Sequence, residues 1–340
     1  MNNSVSELIK ANDVQHPLKF AQEHGLPYYD QFIQILSVLR EVIPKKKYDD
    51  LLKNKFHLGK GITLVQYLQA ACELSVTGFL ANKYKDTFKY EPVYNGKKNP
   101  ECSFMCDDVE ICVEVKTPDL SKRIEDDLAN NKQQVTVYFA ERIENHDKVV
   151  STIKHLGEEA GIPIKEKRRL DNKLSDYVNS ANEKFPLSTD KNFNILVVCL
   201  DIISDLDEWY SYLFGDTGIF SSAPLVAPGN VDAIMLTNLM CGHYRFEAEN
   251  PNNLWDLQNY GNFLFLNPLL ENSKKGEFYW QRGIDIFGPY TRNFFGYLQF
   301  LDSKILNNGS LTREQWLMHK FRDSNIFTEY WQFISQQSKA

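Results

Sequence analysis

The segment that most restricts what this chain can fold into is Pro100-Glu101-Cys102-Ser103-Phe104-Met105-Cys106-Asp107-Asp108-Val109-Glu110-Ile111-Cys112-Val113-Glu114-Val115-Lys116. Two runs of strand-forming residues flank a pair of aspartates suited to a tight turn. With Asp107 and Asp108 as a two-residue turn, Cys106 pairs with Val109 and Phe104 with Ile111, and Glu101 falls directly opposite Glu114. Side chains alternate between the faces of a strand. Glu101, Glu114 and Lys116 therefore share one face, and Val109, Ile111, Val113 and Val115 form an apolar row on the other.

Opposed carboxylates repel, so a sheet that keeps them needs something between them. A divalent cation meets that need, and hard carboxylate oxygens suit Mg²⁺ or Mn²⁺, which retain waters that a substrate phosphate can replace. Lys116, beside such an ion, would hold the attacking water and offset charge growing on phosphorus. Glu73 is the one acid between Leu51 and Lys85, set among Ala70, Ala71, Cys72 and Leu74. A carboxylate in such company requires a partner, either Lys116 or a metal-bound water. A shifted turn would bring in Glu110 or Asp107 instead. Without a metal, the same residues read as a solvated strand face with cross-strand salt bridges. Cys102, Cys106 and Cys112 lack the paired spacing of a zinc site, and Cys102 would point away from Cys112.

The surrounding text reads as mixed α/β. Tyr28 to Leu58 has helical spacing at Phe32, Ile35, Leu36 and Leu39 until Pro44 interrupts, and Thr63 to Lys85 forms a second helix. A strand over Tyr90 to Val93 and the hairpin follow. Ser121 to Leu187 is polar and helical, clearest over Leu174 to Phe185, and strands are expected at Asn194 to Asp201 and Val231 to Thr237. The expected organisation is an N-terminal helical cap (1–60), a core with a mixed central sheet flanked by helices (61–245), and an aromatic-rich C-terminal extension (246–340) packed on it. With 43% hydrophobic residues in 340, one large core or two modest ones can be buried.

Glu73 on a helix, then Pro100-Glu101, then Glu114-Val115-Lys116, resembles the PD-(D/E)XK, or restriction-endonuclease-like, nuclease superfamily. The later helix Ala181-Asn182-Glu183-Lys184-Phe185 and the strand from Asn194 are similar to that superfamily's later core elements, so the resemblance spans Thr63 to Thr237. It implies that Glu101, Glu114 and the Val115 carbonyl hold Mg²⁺ or Mn²⁺, that Lys116 orients the hydrolytic water, and that Glu73 supports the site. It further implies an endonuclease that hydrolyses nucleic-acid phosphodiesters, DNA before RNA; a bare nuclease core with unrecognised flanks suits restriction, antiphage defence or repair, as a homodimer or with a partner protein. This chain has Glu101 where the superfamily usually has aspartate. The alternative is a nucleic-acid-binding or scaffolding protein that keeps the fold without catalysis.

A formal net charge of -7 speaks against coating nucleic acid by bulk electrostatics, so phosphate contacts must be local. The best basic run is Lys165, Lys167, Arg168 and Arg169 with Lys173, which reads equally as a solvated helix start; Lys45, Lys46 and Lys47 are a weaker one. No signal-peptide pattern opens the chain, and the longest apolar run, Ile195 to Leu200, is too short to span a bilayer. Six cysteines among apolar neighbours suit a reduced, cytoplasmic setting. No histidine metal spacing, nucleophile elbow, P-loop or dinucleotide fingerprint is present.

Overall fold

A computed structural model describes residues 2–12, 16–94, 98–118, 135–139, 146–161, 164–168, 170–200, 209, 212–215, 218–221, 224, 226–247, 253–260, 262–288 and 292–293. The hairpin forms as its sequence dictates. Strand β2 (Cys102–Cys106) pairs antiparallel with β3 (Val109–Lys116), Cys106 against Val109, Phe104 against Ile111 and Cys102 against Val113. Asp107 takes the left-handed backbone, φ 51°, which aspartate tolerates better than most residues. The preceding strand is shorter than expected. β1 covers only Lys89–Tyr90 because Glu91 also turns left-handed, φ 45°.

These strands form one side of a seven-stranded mixed sheet. β6 (Asn192–Cys199) runs parallel to β3, β7 (Ala233–Thr237) parallel to β6, β8 (Asn262–Leu266) antiparallel to β7, and β9 (Arg292–Asn293) parallel to β8. Every residue of β6, β7 and β8 is buried, as strands covered on both faces must be. β8 arises from the text read as an aromatic extension: its alternating Phe and Leu side chains serve both faces of the sheet.

One face carries Ile111, Val113, Val115, Phe193, Ile195, Val197 and Met235 against helix α5 (Leu64–Lys83) and, beyond it, α3 (Pro27–Val42). The other carries Cys112, Leu196, Val198, Ile234 and Phe263 against Leu174, Val178 and Ala181 of α7 (Leu170–Lys184) and Phe185 just beyond it, together with Trp209 and Leu213. The result is a three-layer α/β arrangement. Thr63 starts α5 with a reciprocal capping box to Gln66. Cys102 and Cys112 fall on opposite faces.

Short helices α1 (Asn2–Lys10), α2 (Pro17–Glu23) and α4 (Lys45–Asp50) complete the N-terminal cap, and α4 passes into a π-helical turn, Leu51–Lys55. The region expected to be helical from Ser121 to Leu187 is corrected in part. Val135–Phe139 (β4) and Ile164–Arg168 (β5) pair parallel in a separate two-stranded sheet around α6 (His146–Glu159). Val, Thr, Tyr and Phe in β4 favour the extended backbone over helix. Among the described residues, no helix is long and apolar enough to cross a membrane.

A buried polar chain fastens α5 to its neighbours. Tyr67 donates to the Tyr28 hydroxyl (2.8 Å), which lies 2.9 Å from His243 Nδ1, while His243 Nε2 is 3.0 Å from Ser75 Oγ. Because Tyr28 receives from Tyr67, its own proton goes to Nδ1, leaving Nε2 as the donor to Ser75. His243, on α8 (Leu239–His243), is fully buried beside Trp255, and desolvation drops its pKa to about 3. The unfolded chain binds a proton near pH 6.5 that the folded chain refuses, so stability contributed by neutral His243 is lost as pH falls below 6.5. Between pH 7.5 and 5.5 this amounts to about 1 kcal/mol. Urea unfolding of wild type and His243→Gln at both pH values checks this: the loss on acidification should be smaller in the variant.

Candidate active site

The register that sets Cys102 against Val113 places Glu101, at the mouth of β2, beside Glu114. The two environments are unequal. Glu114 is fully buried and Glu101 nearly so, at 7% exposure. Lys116, two residues along β3, turns back so that its Nζ lies 2.8 Å from Glu114 Oε1. The Val115 side chain points to the opposite face, into the core beneath α5. Glu73 projects half-buried from the middle of α5.

Three residues that the sequence did not mark as site residues complete the cluster. Lys55, ending the π-helical turn, donates to Glu73 Oε2 (2.9 Å) and Glu101 Oε2 (2.7 Å), and lies 3.5 Å from Glu91 Oε1. Lys184, in the last turn of α7, donates to Glu114 Oε1 at 2.6 Å and stands 3.9 Å from Glu101 Oε1. Glu91 ties the edge together through its backbone N–H, which donates to the Glu101 carbonyl (2.9 Å). The partner of Glu73 is thus Lys55, not Lys116. Lys184 left a trace in the sequence: it follows Ala181 by three residues and so borders the buried stripe Leu174, Val178, Ala181 and Phe185. Lys55 left none, because its position depends on the π-helical turn, an element that recurs at functional sites.

Charge in this cluster is balanced in number but not in energy. Four carboxylates (Glu73, Glu91, Glu101, Glu114) face four ammonium groups (Lys47, Lys55, Lys116, Lys184) within 4 Å. Desolvation and the charge of Glu101 nevertheless push Glu73 up to about 7 against the pull of Lys55. Desolvation and Glu101 also raise Glu114, despite Lys116 and Lys184. Lys55 is raised well above the ordinary lysine value: burial works against its charge, but Glu101 and Glu73 outweigh it.

Glu114 Oε1 accepts from two lysines while Oε2, equally buried, has no hydrogen-bond partner. A buried carboxylate oxygen left bare is costly. Among the described residues no three His, Cys, Asp or Glu side chains are drawn together as a ligand set, since lysine nitrogens lie between the carboxylates. The donor chemistry still fits a hard cation: two neighbouring carboxylates, one with an uncommitted oxygen, match the one or two carboxylates that usually hold Mg²⁺.

Of the basic run, Lys165, Lys167 and Arg168 fall on strand β5 and Lys173 on α7, whereas Arg169 and the side chains of the β5 residues lie outside the described residues. Lysines of α4 come closer to the acids. Lys47 Nζ donates to the carbonyls of Tyr90 (2.7 Å) and Glu91 (2.8 Å), and Lys45 and Lys46 are exposed beside it.

Fold and site together define an α/β protein with an acid–lysine cluster at one side of its sheet. Compared with models of known protein families, with curated proteins and with solved structures, the chain matches none.

The Lys55 bridge makes a direct prediction. A carboxylate whose folded pKa is raised contributes stability that is present below about pH 4.5 and lost as pH rises through about 7. Lys55→Met removes the ammonium shared by Glu73 and Glu101, so the loss should deepen at high pH. Thermal unfolding in a chelator should show the variant destabilised by about 2 kcal/mol at pH 8 and by clearly less at pH 5.5. Equal destabilisation at both values would place the Lys55 contribution in packing.

Proposed function

We propose that this chain is a metal-dependent nuclease whose site is Glu101, Glu114 and Lys116, with Glu73 holding the second layer through Lys55. The observation carrying the reading is the buried Glu101/Glu114 pair, with an unpartnered oxygen on Glu114 and a lysine on the same strand. Bound Mg²⁺ or Mn²⁺ would supply a Lewis acid for the phosphate and lower the pKa of a coordinated water.

Glu101 and Glu114, with the Val115 carbonyl, are the groups to hold the ion. Lys116 Nζ, 2.8 Å from Glu114 Oε1, would orient the attacking water and stabilise charge that builds on the phosphate oxygens. Glu73, kept in place by Lys55, adds negative potential that favours a cation. Exposed Lys45 and Lys46 on α4, next to Lys47, offer backbone phosphates a local foothold on an otherwise acidic chain. The substrate in this reading is nucleic acid, DNA before RNA, in the cytoplasm, in restriction, antiphage defence or repair. Cutting both strands would call for a second subunit or a partner protein.

A second reading has one observation in its favour: ammonium groups already engage the acids. A nucleic-acid-binding protein without catalysis would keep such a lysine-neutralised cluster. The two readings part on metal, because only a cation-binding site is stabilised by one through ligand linkage.

The test is cleavage of plasmid, linear and single-stranded DNA and of RNA with Mg²⁺ or Mn²⁺. Glu114→Ala and Lys116→Ala should each lower the rate by roughly 100-fold or more. Cutting that persists in both variants would move the chemistry elsewhere; absence of cutting by every form, with no metal-induced stabilisation, would favour the binding-protein reading.

A further inference from the structure

We infer that Lys184 is a built-in counter-cation that holds the metal position closed until an ion displaces it, an inference resting on the reading of Glu101 and Glu114 as the cation pair. Of the lysines in the cluster, Lys184 alone approaches both acids of that pair, at 2.6 Å from Glu114 Oε1 and 3.9 Å from Glu101 Oε1. An ion that drew on Glu114 Oε1 as well as the bare Oε2, together with Glu101, at about 2.1 Å would have to displace the Lys184 ammonium from Oε1. The two cations exclude each other.

The neighbouring lysines are differently disposed. Lys116 touches Glu114 from the same strand, and Lys55 sits between Glu101 and Glu73. Neither lies between the two strand acids. Lys184 reaches in from another layer of the fold, at the end of α7, on a long flexible stem whose head can withdraw to solvent. Removing it would uncover Glu114, which already has one bare buried oxygen. The metal-free protein therefore gains stability from Lys184 while its affinity for metal is held down. A reciprocal linkage of this kind is a coupling between two cations competing for one anionic site.

The experiment is calorimetric titration of Mn²⁺ into the metal-stripped full chain, with melting temperatures recorded in chelator. Wild type, Lys184→Gln and Lys184→Arg are compared. Lys184→Gln should melt lower without metal yet bind Mn²⁺ about tenfold more tightly. Lys184→Arg, which cannot lose its charge and can grip a carboxylate with two donors, should bind Mn²⁺ more weakly than wild type, and this arm stands even if the glutamine variant fails to fold. Affinities that are equal in all three proteins, or weakest in Lys184→Gln, would overturn the inference while leaving Glu101 and Glu114 as the metal pair. No Mn²⁺ binding by any form would remove both.

Discussion

Two carboxylates facing each other across a β-hairpin are the constraint on which the rest of this structure turns. A two-residue turn at Asp107-Asp108 leaves the pairing no latitude, and a slip of one residue would carry Glu114 to the opposite face and Val115 out of the core. Like charges in direct cross-strand contact are unfavourable, and these are additionally withdrawn from water. Everything around them can be understood as a response. Lys116 turns back along its own strand, Lys184 comes from the helix on one side of the sheet, and Lys55 comes from the π-helical turn of the N-terminal helices.

That response is incomplete, which separates the cluster from an ordinary salt-bridge network. Burial and the charge of Glu101 raise Glu73 and Glu114 despite their lysines, and burial raises Asp232 beside Lys275 in the same direction, so hydrogen-bond satisfaction is what tells the two apart. The bare Glu114 Oε2 locates the deficit on one atom. By contrast, the buried pair Asp232 and Lys275 is closely satisfied: Lys275 Nζ lies 2.5 Å from Asp232 Oδ2, and Ser188 Oγ and the Asn194 N–H donate to the same carboxylate. That pair binds α9 (Lys274–Gln281) to β6 and β7 and leaves no uncommitted carboxylate oxygen. The difference between a finished ion pair and an unfinished cluster is the physical argument for a ligand at Glu101 and Glu114.

The hairpin, α5, β6 and β7 were legible because local pattern decides them. The aspartate turn, the Thr63 capping box and continuous apolar runs need no distant partner to be recognised. Strand β8 was readable in principle, as a Phe-Leu alternation before Pro268, but the density of aromatics around it hid the boundary. Strand β5 is charged text that suits a helix as well and is distinguished by its pairing, whereas β4 carries strand-forming residues in a run too short to stand out from the polar text around it. Within the cluster, the positions of Glu101, Glu114 and Lys116 follow from alternation on one hairpin. Lys55, Glu91 and Lys184 converge from a π-helical turn, a left-handed residue and a helix end, and chain order carries no record of such meetings. Glu73 stood out only as an isolated acid; its partner was decided by tertiary packing.

Anomalous scattering from Mn²⁺ in a crystal of this protein tests the central claim most directly. The account predicts a peak bridging carboxylate oxygens of Glu101 and Glu114, at about the 2.1 Å expected for a hard divalent ion, with the Lys184 ammonium moved off Glu114 Oε1. Carboxylates still closed on Lys55, Lys116 and Lys184 at saturating Mn²⁺, with no peak between them, would contradict it and leave the cluster as a structural ion-pair network.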